Sequence, residues 1–217
     1  MRTFLWYDLE TFGLNPRYDR IAQAAAIRTD MDLNIIGEPI LLYSRLSPDY
    51  LPNPGSCLVT HITPQLVNSK GMPECEMISR LRDEMMVPET ITVGYNSIKF
   101  YDECIRSTLY RNLFDPYERE YMNRCSRWDI INLVRATRDL RPNGMVFDKK
   151  NPETGTVSFK LTDLTEENNI DQTGAHDALV DVYATIAIAK LIKKNQPSLW
   201  KYALNHRGKI QVSQQID

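Results

Sequence analysis

Two acidic residues end an apolar stretch close to the start of the chain. Asp8 and Glu10 lie in the sequence TFLWYDLETFG, which otherwise has the character of a buried β-strand. Successive side chains of a strand point to opposite faces, so positions 8 and 10 project from the same side. Two neighbouring carboxylates in apolar surroundings repel each other and lose solvation, which is costly unless a partner neutralises them. The pair therefore predicts a compensating group at this point.

Two further acids are predicted to reach the same edge of the sheet. Asp102 follows the predicted strand TITVGYN, and Asp181 lies at the start of the last predicted helix, in AHDALVDV. An α/β sheet presents its functional groups at strand ends and helix starts. Taken singly, each acid has a simpler role, as a first-turn residue favoured by the helix dipole or as part of an exposed edge strand. Taken together, four carboxylates at one edge favour a metal site.

His176 is the histidine whose sequence neighbourhood fits an acid–base role. Gly174 precedes it and Asp177 is a suitable N-cap, which places His176 on a loop and Asp181 in the first turn of the following helix. With an ordinary pKa of about 6.5, a loop histidine beside a metal-bound water could act as a general base. A purely structural histidine is the alternative that these residues leave open.

The pattern of apolar residues predicts a mixed α/β scaffold for these groups. Three strands come first and predict an antiparallel meander, and strands and helices then alternate, which is typical of a mixed β-sheet flanked by α-helices. The predicted strands are TFLWY, RIAQAAAIRTD, IIGEPILLYSRL and TITVGYN. The predicted helices lie near PQLVN, over residues 74–86, in KFYDECIRSTLYRNLF, WDIINLVRATRDL and LTDLTEENNI, and from Asp177 until Pro197 interrupts the last one.

The composition of the 217 residues is that of a soluble globular protein, with 42% hydrophobic and 25% charged residues. No apolar run approaches the ~18 residues of a membrane span, and charges at Arg2, Asp8 and Glu10 interrupt any signal peptide. The four cysteines form no CxxC pair and no Cys/His metal pattern, which favours free thiols in a reducing compartment. We expect a cytoplasmic monomer with no membrane partner.

The small net charge of −2 conceals an uneven distribution of charge along the chain. Residues 182–216 contain six basic side chains and no acidic one, so the acidic residues are concentrated in the rest of the chain. An acidic body with a basic end could bind a cation at one place and a polyanion at another. A basic helix that is merely solvated is the simpler alternative.

The acidic residues and His176 form a set of motifs that resembles a known enzyme family. The motifs are D-x-E in the first strand, N-x4-Y-D at a strand–helix junction and H-x4-D in the last helix. This set resembles the DEDDh 3′–5′ exonucleases, and a longer ordered series of stretches is similar to the bacterial exonuclease I family over essentially the whole chain. That series includes RIAQAAAIRTD, YLPNPGSCLVTHITP, GYNSIKFYDE, SRWDIINLVRA and AHDALVDVYATIAIAKL.

The resemblance implies an RNase H-like fold and a catalytic centre with two divalent cations, normally Mg²⁺, for which Mn²⁺ substitutes. The implied catalytic residues are Asp8, Glu10, Asp102, Asp181 and His176. Of these, Asp102 would hold the second ion directly or through water, His176 would be the base, and the other three would be direct metal ligands. Carboxylates without cysteine suit Mg²⁺, which prefers hard oxygen ligands. Position 101 is Tyr, so Asp102 is the one acid of that pair available as a ligand.

The resemblance also implies contacts to a nucleic-acid strand. The implied substrate-binding residues are Glu10, Thr11, Phe12, His61, Lys160 and Tyr202. Phe12 would stack on a base, with a core residue that covers the strand end as the alternative. His61 falls where relatives border the terminal base, and a structural role is its alternative. Lys160 falls where close relatives carry an arginine, so the charge is kept without the bidentate geometry. Tyr202 could line a groove for the upstream strand.

Members of the exonuclease I family continue beyond the catalytic domain into an SH3-like domain and a helical domain that clasp single-stranded DNA. We therefore assign residues 1–194 to a DEDDh exonuclease domain, and residues 195–217 to a linker and the start of a following SH3-like domain that is mostly absent. The expected partners are single-stranded DNA and single-strand DNA-binding protein, whose docking surface could be incomplete in this chain.

The leading hypothesis is a 3′–5′ exonuclease that degrades single-stranded DNA to 5′-mononucleotides by two-metal hydrolysis, in DNA repair and recombination. The same core could act on RNA or short oligonucleotides, as in oligoribonuclease, because discrimination against a 2′-hydroxyl depends on pocket shape. A third hypothesis is a nucleic-acid-binding module without catalytic activity.

Overall fold

The computed structural model describes residues 1–174, 177–208, 211 and 213, in which five β-strands form one mixed sheet. The strands are β1 (Thr3–Thr11), β2 (Ile21–Thr29), β3 (Ile40–Tyr43), β4 (Thr90–Gly94) and β5 (Ser126–Asp129). Their order across the sheet is β3-β2-β1-β4-β5, so β1 is the central strand. Strands β1, β2 and β3 form an antiparallel meander, whereas β1, β4 and β5 run parallel to one another.

Helices cover both faces of this sheet. The α-helices of the described residues are α1 (Pro54–Thr60), α2 (Pro64–Lys70), α3 (Glu74–Met85), α4 (Tyr101–Arg111), α5 (Ile131–Leu140), α6 (Leu161–Glu167), α7 (Ala178–Asn195) and α8 (Pro197–Asn205). Two short 3₁₀ helices, Glu118–Glu120 and Met122–Arg124, precede β5. Within the described part of the chain, no helix has the length and apolar character needed to span a membrane.

The central strand β1 is buried on both faces because its side chains alternate between two layers of helices. Phe4 and Trp6 point into one apolar cluster, which also contains residues of α5, α7 and α8. Tyr7 and its odd-numbered neighbours point into a second cluster, which contains residues of α3 and α4. Asp8 and Glu10 continue the series of even-numbered positions, so they lie on the face that α7 covers.

Helix α7 is fixed against β2 at its N-terminal end. Asp177 is the N-cap and accepts a hydrogen bond from the backbone N–H of Leu179 over 2.9 Å. Gln23 of β2 is buried, accepts a hydrogen bond from the backbone N–H of Ala178 over 3.1 Å and donates one to the Asp177 carboxylate over 3.4 Å. These contacts hold the first turn of α7, which carries Asp181, in place beside the sheet.

The structure confirms the mixed sheet flanked by helices, the initial meander and most of the predicted elements. Helix α1 and strand β5 have no counterpart among the predictions. Trp128 and Asp129 were assigned to the start of a helix, but they end β5, and α5 begins at Ile131. The helical spacing of the apolar residues that follow masks a four-residue strand, which exists because it pairs with β4.

Helix α8 packs against the same core as the rest of the domain. Trp200 is buried, and its ring centroid lies 5.0 Å from that of Trp128 and 6.1 Å from that of Phe4. The described part of the predicted linker therefore includes a helix that belongs to the core, because burying an indole ring stabilises the docked position. The following SH3-like domain stays a prediction.

Candidate active site

The carboxyl end of β1 extends beyond its parallel neighbour. The pairing of β1 with β4 ends at Trp6 and Val93, whereas β1 continues beside β2 to Thr11. Asp8 and Glu10 lie in this extension, and an irregularity in register follows Glu10. A site at this edge of the sheet is therefore bounded by β1 on one side and by the start of the helix that follows β4 on the other.

Asp181 joins the two carboxylates of β1 to form a cluster of three acids. One carboxylate oxygen from each of Asp8, Glu10 and Asp181 lies within 4.8 Å of the other two. Asp181 comes from the first turn of α7, and Gln172 Nε2 donates a hydrogen bond to its Oδ1 over 2.6 Å. The structure thus brings together three of the four acids that the sequence predicts at one site.

The carboxylates of the cluster shift one another's pKa values. Burial, followed by the charges of Asp181 and Glu10, raises the pKa of Asp8 well above its ordinary value. Burial, followed by the charges of Asp181 and Asp177, raises the pKa of Glu10 to about 8. Both shifts reflect the cost of holding negative charge here without a neutralising partner.

A divalent cation fits this cluster. Asp8 is 7% exposed, and its Oδ2 atom is buried without a hydrogen-bond partner among the described residues. A buried acceptor of this kind costs free energy unless a ligand completes it. Three carboxylates form the hard-oxygen donor set that Mg²⁺ and Mn²⁺ prefer.

The loop between β4 and α4 is held by the carboxylate of Asp129 at the end of β5. This carboxylate accepts hydrogen bonds from the backbone N–H groups of Asn96, Ile98 and Ile131 over 2.8, 3.2 and 3.1 Å. Asn96 has a φ of 54°, in the left-handed region that asparagine adopts more readily than most residues. The loop leads into α4, whose first residue is Tyr101.

Tyr101 lies beside the three acids. Its side chain lines the same cavity as Asp8 and Asp181. Burial, followed by the charges of Asp8, Glu10 and Asp181, raises the pKa of Tyr101 well above its ordinary value, so the hydroxyl is protonated at neutral pH. The start of α4 therefore presents a neutral phenol to the cluster.

Asp102 lies on the opposite side of β1. Its Oδ1 accepts hydrogen bonds from the Tyr7 hydroxyl over 2.8 Å and from Arg119 over 2.7 Å, and its Oδ2 accepts one from Arg127 over 2.8 Å. The Tyr7 side chain points away from that of Asp8, because the two are consecutive residues of one strand. Burial alone would raise the pKa of Asp102, but Arg119 and the other hydrogen bonds outweigh it and hold that pKa below its ordinary value.

This arrangement corrects the expectation that Asp102 binds a metal ion. Asp102 is 1% exposed and Arg119 is 0% exposed, so the carboxylate serves as the counter-ion of a buried guanidinium group. Tyr101 and Asp102 are neighbours in α4, about 100° apart around the helix axis. The orientation of the helix decides which of the two faces the cluster, and a local motif does not contain that information.

Two cavities meet at Tyr101. One, of about 560 Å³, is lined by Glu10, Thr11, Tyr101 and a largely apolar surface that includes residues of α1. The other, of about 500 Å³, is lined by Tyr101, Lys160 and the two aspartates of the cluster. The three carboxylates therefore lie between two spaces, one mainly apolar and the other more polar.

The residues predicted to bind substrate fall into two groups. Thr11 and Lys160, like Glu10, line the cavities beside the cluster. Phe12 is 1% exposed and packs in an apolar cluster with Tyr50, so the expectation that it stacks on a base is corrected, and its alternative as a core residue agrees with the structure.

The other predicted binding residues lie further out. His61 is exposed at the end of α1, directly after Thr60, which lines the apolar cavity. Tyr202 of α8 lines a different cavity, and its ring centroid is 4.2 Å from that of His206. His176 lies outside the described residues, so its role as the base stays a prediction.

Three residues of the site are absent from the predicted set. Tyr101 belongs to the motif N-x4-Y-D, but the role of metal ligand was predicted for the carboxylate next to it, Asp102. Gln172, which orients Asp181, belongs to a segment without any motif signal, and Gln23, which binds the start of α7, lies in the stretch RIAQAAAIRTD but was given no role there. Their partners are nine and 155 residues distant in sequence, so only the folded chain shows these contacts.

Comparison with known proteins agrees with this geometry. The family model described as Exonuclease (RNase T) matches residues 5–189, which include the acid cluster, Tyr101 and most of α7. The chain therefore belongs to this exonuclease family.

Within that family, the chain is similar to exodeoxyribonuclease I. The Haemophilus influenzae protein of that name is 48% identical over 217 residues, which cover 99% of this chain and 45% of the relative. The crystal structure of Escherichia coli exonuclease I with a dA16 oligonucleotide matches with a TM-score of 0.95 at 46% identity, covering 100% of this chain and 46% of that one. The zinc-bound form of the E. coli complex with single-stranded DNA matches with a TM-score of 0.96 at 45% identity, again covering 100% of this chain and 46% of that one.

These likenesses confirm the RNase H-like fold expected from the sequence motifs. The chain spans about half the length of the curated relatives it matches. The likeness therefore concerns the part of those proteins that contains the acid cluster.

The raised pKa of Glu10 predicts how the stability of the metal-free protein depends on pH. A carboxyl whose pKa is about 8 in the folded protein, against an ordinary 4.5, contributes stability that is full below the lower value and is lost as pH rises through the higher one. We expect the melting temperature in EDTA to fall between pH 5 and pH 9, and to fall less in Glu10→Gln. Circular dichroism melts measure this, and equal pH dependence in both proteins would contradict it.

The ion pairs of Asp102 predict a structural effect of its removal. Asp102→Asn leaves the buried Arg119 charge uncompensated and should lower the free energy of unfolding by about 3–5 kcal/mol, measured by urea denaturation. Glu103→Gln is the matched control, because the Glu103 side chain is 38% exposed and solvent screens its ion pair with Arg106, so that its loss should cost only about 0–1 kcal/mol. A protein of unchanged stability that has lost Mn²⁺ binding would instead make Asp102 a metal ligand.

Proposed function

We propose that this chain is the catalytic domain of a metal-dependent 3′–5′ exodeoxyribonuclease that releases 5′-mononucleotides from single-stranded DNA. The observation that carries the proposal is the cluster of Asp8, Glu10 and Asp181, which lies between two cavities and includes a buried Asp8 oxygen with no hydrogen-bond partner in the described chain. The similarity to exodeoxyribonuclease I, and to a structure of exonuclease I with an oligodeoxynucleotide, supports the choice of substrate.

The three clustered carboxylates would hold Mg²⁺, or Mn²⁺ in its place. When bound, such an ion polarises a phosphate oxygen and lowers the pKa of a bound water. Asp8 contributes the buried oxygen, Glu10 extends along the same strand face, and Asp181 approaches from α7 with its orientation set by Gln172. The second ion that the family resemblance implies would need a further ligand, since both oxygens of Asp102 accept hydrogen bonds from arginine side chains.

His176 is proposed as the general base that removes a proton from the attacking water. Its neighbours support this role, because Asp177 begins α7 and Asp181 belongs to the acid cluster. Gly174 has a φ of +92°, so the chain turns sharply just before this position. The imidazole must be neutral to accept a proton, so the hydrolysis rate should rise with pH through the pKa of His176.

The two cavities are suited to the end of a strand. Apolar walls accept a base or sugar face without regard to sequence, which agrees with digestion of any single strand. Lys160 is exposed at the rim of the other cavity and can pair with a phosphate. We propose that Thr11 and Glu10 border the terminal nucleotide and that Lys160 contacts a phosphate near the scissile bond.

The biological setting is proposed from relatives of which this chain covers only part, 45% in the case of the Haemophilus influenzae protein. We propose a monomeric cytoplasmic enzyme of DNA repair and recombination that works with single-strand DNA-binding protein. We propose that basic residues after position 182, together with Tyr202, contact the upstream strand. Binding through these charges should weaken as salt concentration rises.

Digestion of labelled strands tests the proposed function. A 5′-labelled single-stranded DNA oligonucleotide and its RNA counterpart are each incubated with Mg²⁺ or with EDTA and resolved on a gel. We expect a ladder that shortens from the 3′ end, on DNA only and with Mg²⁺ only, and no ladder with Asp181→Asn. Equal digestion of RNA would favour the oligoribonuclease-like hypothesis, and binding without digestion would favour a non-catalytic module.

Replacement of His176 tests its role as the base. His176→Ala should lower the hydrolysis rate at saturating substrate by ~10²–10⁴-fold, a typical contribution of a positioned base. The remaining activity should also lose the rise with pH near the pKa of imidazole. A change confined to the KM, with the turnover rate and its pH profile intact, would reassign His176 to substrate binding.

A further inference from the structure

The acid cluster consists of three carboxylates, and the phenol of Tyr101 lies in the same cavity wall. One carboxylate oxygen from each of Asp8, Glu10 and Asp181 lies within 4.8 Å of the other two, and Tyr101, the first residue of α4, lines a cavity together with Asp8 and Asp181. Two-metal sites hold their ions ~3.5–4 Å apart, so a carboxylate shared by both ions needs further anionic ligands on each side. Among the described residues, the cluster adds only Glu10 and Asp181 to Asp8, and the next side chain beside Asp8 and Asp181 in the cavity lining is the phenol of Tyr101.

Asp102 cannot supply the missing ligand without dismantling part of the core. Its two oxygens accept hydrogen bonds from Tyr7, Arg119 and Arg127 on the other face of β1. Arg119 is 0% exposed, so turning Asp102 towards the cluster would leave a buried guanidinium group without its counter-ion. The two neighbours in α4 thus have different roles: Asp102 fixes the helix through its ion pair with Arg119, and Tyr101 faces the site.

Tyr101 is also a poor substitute for a carboxylate ligand. A phenol contributes one neutral oxygen, whereas Mg²⁺ and Mn²⁺ sites in proteins are built from carboxylates together with waters and phosphates. The ring is partly buried against the apolar cluster that contains Tyr7, and it forms part of the wall of both cavities. A second ion beside Asp8 would therefore meet one shared carboxylate and an aromatic ring. The described lining of that cavity adds no carboxylate beyond Asp8 and Asp181, and its other charged side chains, Arg135 and Lys160, are basic.

We propose that this site binds one divalent cation, at Asp8, Glu10 and Asp181, and that Tyr101 occupies the position of the ligand that a second ion would require. The inference rests on the proposed function for the identity of the ligand as a hydrolytic metal. It departs from the two-ion centre that the family resemblance implies, and it assigns Tyr101 to the wall between the metal and the terminal nucleotide.

Counting bound Mn²⁺ ions tests this proposal. Free Mn²⁺ is measured by electron paramagnetic resonance during titration of the chain, alone and with a single-stranded DNA oligonucleotide whose 3′ phosphodiester is a cleavage-resistant phosphorothioate. We expect one tight ion in the unchanged protein and in Tyr101→Phe, and two in Tyr101→Asp. Tyr110→Asp is the matched control, because it adds a carboxylate to an exposed position of the same helix and should leave the number at one.

Two results would overturn the proposal. Two tight ions in the unchanged protein would show that Tyr101 does not block the second position. One ion in Tyr101→Asp, when circular dichroism shows a folded protein, would show that position 101 does not decide the number. If Tyr101→Asp does not fold, Tyr101→Glu places a carboxylate on a longer side chain at the same position. Two tight Mn²⁺ ions in Tyr101→Glu would then support the proposal, and one would overturn it.

Hydrolysis of an unmodified oligonucleotide separates this inference from the proposed function. Tyr101→Asp should raise the rate at saturating Mn²⁺ by about tenfold or more, because a second ion stabilises the leaving oxygen. One ion in the unchanged protein, with no hydrolysis by either protein, would leave the metal count intact and reject the exonuclease. Two ions with rapid hydrolysis by the unchanged protein would support the exonuclease and reject the single-ion site.

Discussion

Repulsion among three carboxylates, two on one face of β1 and one from α7, is the constraint around which the site is built. Burial and mutual charge raise the pKa values of Asp8 and Glu10, and one Asp8 oxygen is buried without a hydrogen-bond partner in the described structure. The fold tolerates this cost because rigid elements hold the acids in place. Asp8 and Glu10 stand on the central strand, and a capped helix that is bonded to Gln23 carries Asp181. A bound cation relieves the repulsion, so metal binding and the integrity of this edge are linked.

Alternation along β1 separates two roles for acidic residues. The even-numbered side chains begin with Phe4 and Trp6 in the core and end with the acids of the cluster. Tyr7 points the other way, where its hydroxyl meets Asp102 and, through it, Arg119. One face of the strand therefore carries unneutralised charge for a ligand, and the other carries charge that the protein neutralises itself. This separation lets a single strand position the site and anchor α4.

Membership of the exonuclease family and the geometry of the site support the same chemistry, with one difference in detail. Three carboxylates beside two cavities suit the hydrolysis of a phosphodiester at the end of a strand. The side chain at the start of α4 is a tyrosine. This neutral group lines both cavities and supplies no carboxylate ligand for a metal ion. Under the proposal of a single ion, the acids of the cluster bind that ion, and the residue at position 101 decides whether a second one can bind.

Local patterns in the sequence were sufficient for the meander, for most helices and for the acids that meet, because strand alternation and helix capping act over a few residues. They were not sufficient for β5, which exists only by pairing with β4, or for the burial of Phe12 and Trp200. The choice between Tyr101 and Asp102 was decided by the tertiary structure alone. Two adjacent helical residues differ by a rotation about the helix axis. Hydrogen bonds to Asp102 from Arg119 and Tyr7, which lie 17 and 95 residues away in the chain, hold that rotation.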